Sequence, residues 1–177
     1  MTLNFRYFTL VMMVIFAASC SEQAVILSEN QEAPDFALKS DNGNTVTLSQ
    51  FKGKSAVVLY FYPKDGTPGC TKEACSFRDK MDAFEATGIE VIGISTDDIE
   101  SHEEFRKNEK LNFTLVSDES KEVSKRYGVL GSIGLAKRVT FLIDREGIIR
   151  KVFQEVKPES HAEEVMSAAK ALGLAIE

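Results

Sequence analysis

The stretch SAVVLYFYPKDGTPGCTKEAC, residues 55–75, decides the fold and carries most of the chemistry. The near-continuous apolar run at its start, over residues 55–62, is typical of a strand that is buried on both faces. Pro63 ends this run and opens a loop that is rich in glycine and proline. A helical pattern follows from about Cys70 to Ala86, with apolar residues at every third or fourth position. The stretch therefore predicts a buried strand, a stiff loop and a helix that begins at Cys70.

Strands and helices alternate on both sides of this stretch. Residues 46–48 form a short apolar stretch, and further strands are predicted over residues 89–95, 113–116, 139–143 and 148–153. Further helices are predicted from Ser101, where Glu104 completes a capping box, over residues 122–127 and over residues 159–172. Such an alternation, closed by a hairpin and a helix, predicts one α/β domain with a central mixed sheet flanked by helices. The order is compatible with a thioredoxin-like fold.

Composition narrows the class of protein. The chain has 177 residues, of which 44% are hydrophobic and 27% charged, as in an ordinary globular domain. Its net charge of −6 argues against nucleic-acid binding, which needs a basic surface. The three cysteines are an odd number, so at least one of them needs a separate explanation.

The N-terminus explains Cys20. Residues 1–19 contain one positive charge, Arg6, then an apolar run over residues 7–18 and small residues before the cysteine. This pattern is typical of a secretory signal peptide, and the run is too short for a transmembrane helix. The sequence Ala-Ala-Ser-Cys over residues 17–20 resembles a bacterial lipobox, which is cleaved just before a cysteine that then carries lipid. An ordinary secreted protein with a cysteine at its cleavage point is the alternative.

The domain organisation follows from this prediction. We expect a signal peptide at 1–19, a lipid-anchored Cys20 with a flexible tether over residues 20–33, and the folded domain at 34–177. The mature protein would then lie in the cell envelope, attached to a bacterial membrane and facing the periplasm or the exterior. The acidic domain would be held there by acyl chains rather than by its charge.

Two cysteines remain for chemistry, and their spacing is informative. A helix N-terminus carries partial positive charge and free N–H groups, so the position of Cys70 favours a thiolate. Thr67, three residues earlier, brings a hydroxyl that can both donate and accept. Cys75 lies five residues after Cys70, which places the two Cα atoms roughly 8.6 Å apart on a helix, beyond the roughly 7 Å limit for a disulfide. Either the two never bond, or the start of the helix must unwind.

These residues match a known family. The motif Pro63-x-x-x-Thr67-x-x-Cys70, a second cysteine five residues later, and the strand RVTFLID that begins at Arg138 resemble the peroxiredoxins. The closest subgroup is the bacterioferritin comigratory protein, or peroxiredoxin Q, type. The resemblance covers about residues 31–175.

The resemblance implies a mechanism. Cys70 would be the peroxidatic thiolate that attacks a hydroperoxide, while Thr67 and Arg138 hold the peroxide oxygens and Pro63 shields the site. Cys75 would resolve the resulting sulfenic acid as an intramolecular disulfide with Cys70. A thioredoxin-like dithiol protein, which we expect in the envelope, would reduce that disulfide. No metal, haem or flavin is implied.

Each residue also has a simpler interpretation. Cys75 could be a core thiol, Thr67 a helix cap and Arg138 a surface residue. His102 and His161 lie at predicted helix starts among acidic residues, so we expect them to be exposed to solvent and not to bind metal.

Two other functions remain open from the sequence alone. One is a membrane-tethered thiol-disulfide oxidoreductase, and the other is a copper-carrying lipoprotein of the thioredoxin fold. The chain lacks tryptophan and a Cys-x-x-Cys motif, and the residue before Thr140 is Val139 rather than proline. These features disfavour the oxidoreductase. A copper carrier of this fold would pair Cys-x-x-x-Cys with a distant histidine, and it is disfavoured because the cysteine spacing differs and no histidine is predicted near the site.

Overall fold

The computed structural model describes residues 25–175, which form one mixed sheet flanked by helices. The strands are β1 Ala37–Ser40, β2 Thr45–Thr47, β3 Ala56–Phe61, β4 Ile89–Ser95, β5 Thr114–Ser117, β6 Val139–Ile143 and β7 Ile149–Phe153. The helices are α1 Pro68–Arg78, α2 Met81–Ala86, α3 Ile99–Glu109, α4 Glu122–Arg126 and α5 His161–Ala171, with a 3₁₀ turn at Leu48–Phe51. The spatial order of the strands is β2-β1-β5-β4-β3-β6-β7, with β3, β4 and β5 parallel and the other pairs antiparallel. The predicted α/β, thioredoxin-like architecture is confirmed.

Strand β3 is the centre of the domain. All six of its residues are buried, as the continuous apolar run predicted. Because side chains alternate along a strand, Tyr60 packs into one core with Phe77 of α1, while Phe61 packs into the other with Tyr127 and Phe141. Two separate cores thus fix the strand from both faces, and its last residues deliver the following loop to a defined position.

The helix that follows β3 differs from the prediction. It begins at Pro68, two residues before Cys70, because proline suits the first helical turn, where its missing N–H leaves no bond unmade. The predicted single helix to Ala86 is two helices, α1 and α2, separated at Asp79 and Lys80. The next helix, α3, begins at Ile99 rather than Ser101, since Asp98 is its N-cap and accepts a hydrogen bond from the Ser101 N–H.

Part of the predicted tether belongs to the folded domain. The Leu27 N–H donates to the Tyr127 carbonyl, and the Asn30 N–H donates to the Ile149 carbonyl at 2.7 Å. A Cβ on Gly128, which has a φ of +72°, would lie 2.1 Å from the Val25 carbonyl oxygen. The chain from about residue 25 therefore packs on the domain, earlier than the expected start at 34. The predicted signal peptide and Cys20 lie outside the described residues.

Within residues 25–175, no helix is long and apolar enough to cross a bilayer.

Candidate active site

The loop after β3 and the first turn of α1 hold the predicted nucleophile. Pro63 and Thr67 are both half-buried, and Thr67 is the residue just before the helix. Its hydroxyl donates to the Lys64 carbonyl at 3.0 Å and so closes the loop instead of capping the helix. Cys70 is the third helical residue and only 2% exposed. Its sulfur therefore lies in the N-terminal turn, where the backbone favours negative charge.

Arg138 lies beside this sulfur because of the sheet register. Strand β6 pairs antiparallel with β3, and Val139 is opposite Phe61. The preceding Arg138 therefore lies at the end of β3, where residues 62–67 form the loop to α1, which we call the catalytic loop. Its Nη2 donates to the Cys70 Sγ at 3.1 Å. Gly69 leaves room for this contact, since a Cβ there would lie 3.2 Å from Nη2. A cationic donor and a helix N-terminus thus converge on one sulfur atom, an arrangement that stabilises a thiolate.

Glu73 is a site residue that the sequence prediction missed. Its side chain is fully buried, and its carboxylate accepts from the Nη1 of Arg138. Arg138 therefore bridges the Cys70 sulfur and this carboxylate with two nitrogens of one planar group. Burial raises the pKa of Glu73 to about 7, although the positive charge of Arg138 opposes the rise. An acidic residue three positions after Cys70, next to the apolar face of the helix, was the available signal.

His161 also belongs to this buried cluster, which corrects the expectation that it is exposed. It is fully buried at the start of α5, with the rings of Phe77 and Phe153 edge-on at 5.5 and 5.4 Å. Its Nε2 is 2.8 Å from the Thr140 hydroxyl and 3.9 Å from the Glu73 carboxylate. Burial, together with the nearby positive charge of Arg138, lowers the pKa of His161 to about 4, so the ring is neutral at pH 7.

His102 is likewise buried rather than exposed. Its Nδ1 is 2.7 Å from the carboxylate of Asp65 in the catalytic loop. Asp65 also accepts from the Tyr62 hydroxyl at 2.7 Å and from the Ser101 hydroxyl at 2.8 Å. Burial alone would raise the pKa of Asp65, but the hydrogen bonds, led by that of His102, lower it. This network ties the loop that carries Pro63 and Thr67 to helix α3.

Cys75 occupies a different environment from Cys70. Both are free thiols on an intact α1, in agreement with the spacing argument. Cys75 is half-buried, and its Sγ donates to the Glu109 carboxylate of α3 at 3.7 Å. Burial raises its pKa above the ordinary value of a cysteine, with Glu109 adding to the rise and Arg78 opposing it. The two sulfurs therefore have different partners, one cationic and one anionic.

Comparison with known proteins agrees with this geometry. The model of the AhpC/TSA family matches residues 30–152. The putative peroxiredoxin bcp of Coxiella burnetii is 46% identical over 143 residues, covering 77% of this chain and 94% of the relative. The chloroplastic peroxiredoxin Q of Suaeda salsa is 46% identical over 149 residues, covering 82% of this chain and 69% of the relative. The structure of the bacterioferritin comigratory protein from Xanthomonas campestris superposes with a TM-score of 0.76 at 31% identity, covering 82% of this chain and 99% of that structure.

The fold and the buried thiol with its arginine define a thiol-dependent peroxidase of the AhpC/TSA family, to which the chain belongs. Within that family, the relatives place it among the peroxiredoxins of the peroxiredoxin Q and bacterioferritin comigratory protein subgroup. The comparisons favour neither a disulfide oxidoreductase nor a copper carrier.

Replacing Arg138 with lysine should separate its charge from its shape. A lysine keeps the positive charge, but its single ammonium cannot span the Cys70 sulfur and the Glu73 carboxylate as a planar guanidinium does. In Arg138→Lys, we expect hydrogen peroxide to oxidise Cys70 about 10- to 100-fold more slowly than in wild type, as measured by stopped flow. The exposed neighbour provides the control: Lys137→Ala should change the rate less than about twofold. Equal rates in wild type and Arg138→Lys would show that charge alone suffices.

Glu73 and His161 should contribute to stability with opposite pH dependence. Because the pKa of Glu73 is raised, its contribution to stability is fully present below pH 4.5, the ordinary pKa of a glutamate, and is lost as the pH rises through about 7. The lowered pKa of His161 gives stability that is present above 6.5 and is lost as pH falls through about 4. The two contributions offset each other between these limits. Glu73→Gln removes one of them, so its free energy of unfolding should fall with acid more steeply than wild type, by about 2 kcal/mol between pH 6.5 and 4.

Urea denaturation at a series of pH values measures this difference, and His161→Gln provides the matched opposite case. That variant should lose the acid-sensitive contribution and keep the part that weakens above pH 4.5. Parallel stability curves for wild type and both variants would contradict the assignment.

Proposed function

We propose that Cys70 is the peroxidatic residue and reduces hydrogen peroxide and small organic hydroperoxides. The observation that carries the proposal is the 3.1 Å contact between the Arg138 Nη2 and the Cys70 Sγ at the N-terminal turn of α1. The thiolate attacks the terminal oxygen, the O–O bond breaks, and the leaving alkoxide or hydroxide takes up a proton. The products are the Cys70 sulfenic acid and an alcohol or water.

Other residues of the loop assist this step. The Thr67 hydroxyl donates to the Lys64 carbonyl and keeps its lone pairs free to accept a hydrogen bond from the incoming hydroperoxide. Pro63 flanks the site and limits the entry of further peroxide. The small exposed fraction of Cys70 favours small, uncharged oxidants. The bacterioferritin comigratory protein of Xanthomonas campestris has alkyl peroxide reduction activity, which supports organic hydroperoxides as substrates here.

Cys75 then resolves the sulfenic acid. Its sulfur attacks the Cys70 sulfur and forms a disulfide, while the hydroxyl of the sulfenic acid leaves as water with the proton of the Cys75 thiol. Because the two cysteines are five positions apart on α1, too far for a disulfide on an intact helix, the N-terminal turns of α1 unwind for this step. A dithiol protein reduces the disulfide, which restores both thiols and oxidises the donor.

The sequence of residues 1–20 supports a place for this cycle in the cell envelope. We propose that Cys20 is lipidated and anchors the enzyme to a bacterial membrane, facing the periplasm or the exterior. The electron donor would then be an envelope dithiol protein. If cytosolic thioredoxin alone supports turnover and envelope donors do not, this part of the proposal is wrong.

Rapid oxidation followed by intact mass tests the assignment of the cysteines. One equivalent of hydrogen peroxide should convert the reduced protein to a form two hydrogens lighter, because both thiols end in a disulfide. Cys75→Ser should stop at an adduct of one oxygen on Cys70, and Cys70→Ser should not react faster than a free cysteine. A one-oxygen adduct on Cys75, or a Cys70 that reacts no faster than a free thiol, would contradict the mechanism.

Lipidation is tested by expressing the full chain in a bacterium with lipoprotein processing. We expect the protein to incorporate labelled palmitate, to partition into detergent and to lose residues 1–19. Cys20→Ser should abolish the label, while Ser21→Ala should retain it. An unlabelled wild-type protein cleaved at another position would show an ordinary secreted enzyme.

A further inference from the structure

The contact between Cys75 and Glu109 is not used by the peroxidatic step. The Cys75 Sγ donates to the Glu109 Oε2 across the boundary between α1 and α3 at 3.7 Å. Glu109 is the last residue of α3, and both side chains are half-buried. An anionic acceptor at this place stabilises the thiol and opposes its ionisation. Cys75 is therefore held in its less nucleophilic form while α1 is intact.

This contact belongs to a seam between the C-terminal half of α1 and the end of α3. The Nη1 of Arg78 donates to the Glu109 main-chain carbonyl at 2.6 Å. The Asn112 side chain donates to the Arg78 carbonyl at 3.3 Å. Arg78 lies three residues after Cys75, and these two hydrogen bonds fix its position in α1 relative to Glu109. The seam places the Cys75 thiol against the Glu109 carboxylate whenever the helix is formed.

Helix α3 is the fixed partner in this seam. His102 ties one part of it to Asp65, and the buried Phe105 packs it into the core. Arg106 forms an ion pair with the buried Asp41 and donates to the Leu111 carbonyl at 2.8 Å. Because α3 is held at several points, the Cys75 sulfur must give up its contact with Glu109 in order to attack the Cys70 sulfur.

We propose that Glu109 is a positioning residue that holds the Cys75 thiol protonated and away from Cys70, and so sets the rate of disulfide formation. The inference rests on the proposed function, since it concerns the resolving step. In that step a Cys70 sulfenic acid and a Cys75 thiol give a disulfide and one water, and no further oxidant is consumed. Glu109 takes no part in the bond changes. Glu109 retains the Cys75 thiol until the helix unwinds, and this lengthens the lifetime of the Cys70 sulfenic acid.

The pH dependence of Cys75 provides the first test. The charged groups that face Cys75 are Arg78 on its own helix, Asp79 at the end of that helix and Glu109 on α3. In a Cys70→Ser background, alkylation of Cys75 by iodoacetamide is followed over a pH series. Glu109→Gln removes the negative charge and retains an oxygen acceptor, so the alkylation midpoint should move to lower pH.

The control keeps the helix and removes a different charge. Glu103 is exposed on α3, so Glu103→Gln should leave the midpoint where it is in the parent protein. An unchanged midpoint in Glu109→Gln would overturn the proposal, because a purely structural role for Glu109 does not predict a shift.

The second test measures resolution directly. Reduced protein receives one equivalent of hydrogen peroxide, and acid-quenched samples are analysed by intact mass for the sulfenic acid and the disulfide. Loss of one weak, partly exposed hydrogen bond should speed disulfide formation about threefold in Glu109→Ala, with Glu109→Gln in between. Formation of the sulfenic acid should keep its wild-type rate in both variants, since Glu109 does not contact Cys70.

The two tests distinguish a failure of this inference from a failure of the proposed function. Suppose that wild type and both Glu109 variants form the sulfenic acid, and that the variants form the disulfide at the wild-type rate or more slowly. The role of Glu109 is then refuted, and the peroxidase mechanism stands. If no sulfenic acid forms on Cys70 at all, the proposed function fails first. Urea denaturation of Glu109→Gln should show wild-type folding, so that its rates report the contact and not a damaged helix.

Discussion

The arrangement of the site depends on one interaction, the bridge that Arg138 makes between the Cys70 sulfur and the Glu73 carboxylate. The Arg138 side chain is 21% exposed, and that of Glu73 is fully buried, so the pair lies largely out of water, where charges interact strongly. Removing the arginine would leave a buried carboxyl without its cation, which is more costly than losing one hydrogen bond. The same group therefore stabilises the N-terminal turns of α1 and directs a positive charge at the Cys70 sulfur.

This interaction explains how the surrounding elements are placed. The register of β6 against β3 brings Arg138 to the catalytic loop, and Gly69 leaves space for its guanidinium. His161 of α5 packs beside Glu73 as a neutral ring and keeps the carboxylate away from water. The opposite side of α1 rests on α3 through Glu109. Helix α1 is thus held from both sides in its intact form, in which Cys70 and Cys75 are both free thiols.

The sequence predicted the local elements well because their causes are local. The buried strand, the proline-rich loop and the cysteine spacing all follow from periodicity and helix geometry within residues 55–75. His102 and His161 could not be placed in this way, since each faces the interior only because another element covers it, and the helical position of Glu73 next to the apolar face of α1 did not show which cation it would meet. Polar residues at helix starts usually face water, and here β6, β7 and the catalytic loop reverse that expectation. The boundary of the domain was also missed, because main-chain hydrogen bonds, which are independent of side-chain character, attach residues 25–33.

The central claim is that α1 is intact when Cys70 reacts and unwound when it is bonded to Cys75. Hydrogen exchange of the backbone amides in the reduced and the oxidised protein tests it most directly. Amides of residues 71–75 should be protected in the reduced protein and exchange much faster in the disulfide form, while those of the central strand β3 remain protected in both. Equal protection of residues 71–75 in the two states would contradict the account, because a disulfide between these cysteines cannot form on an intact helix.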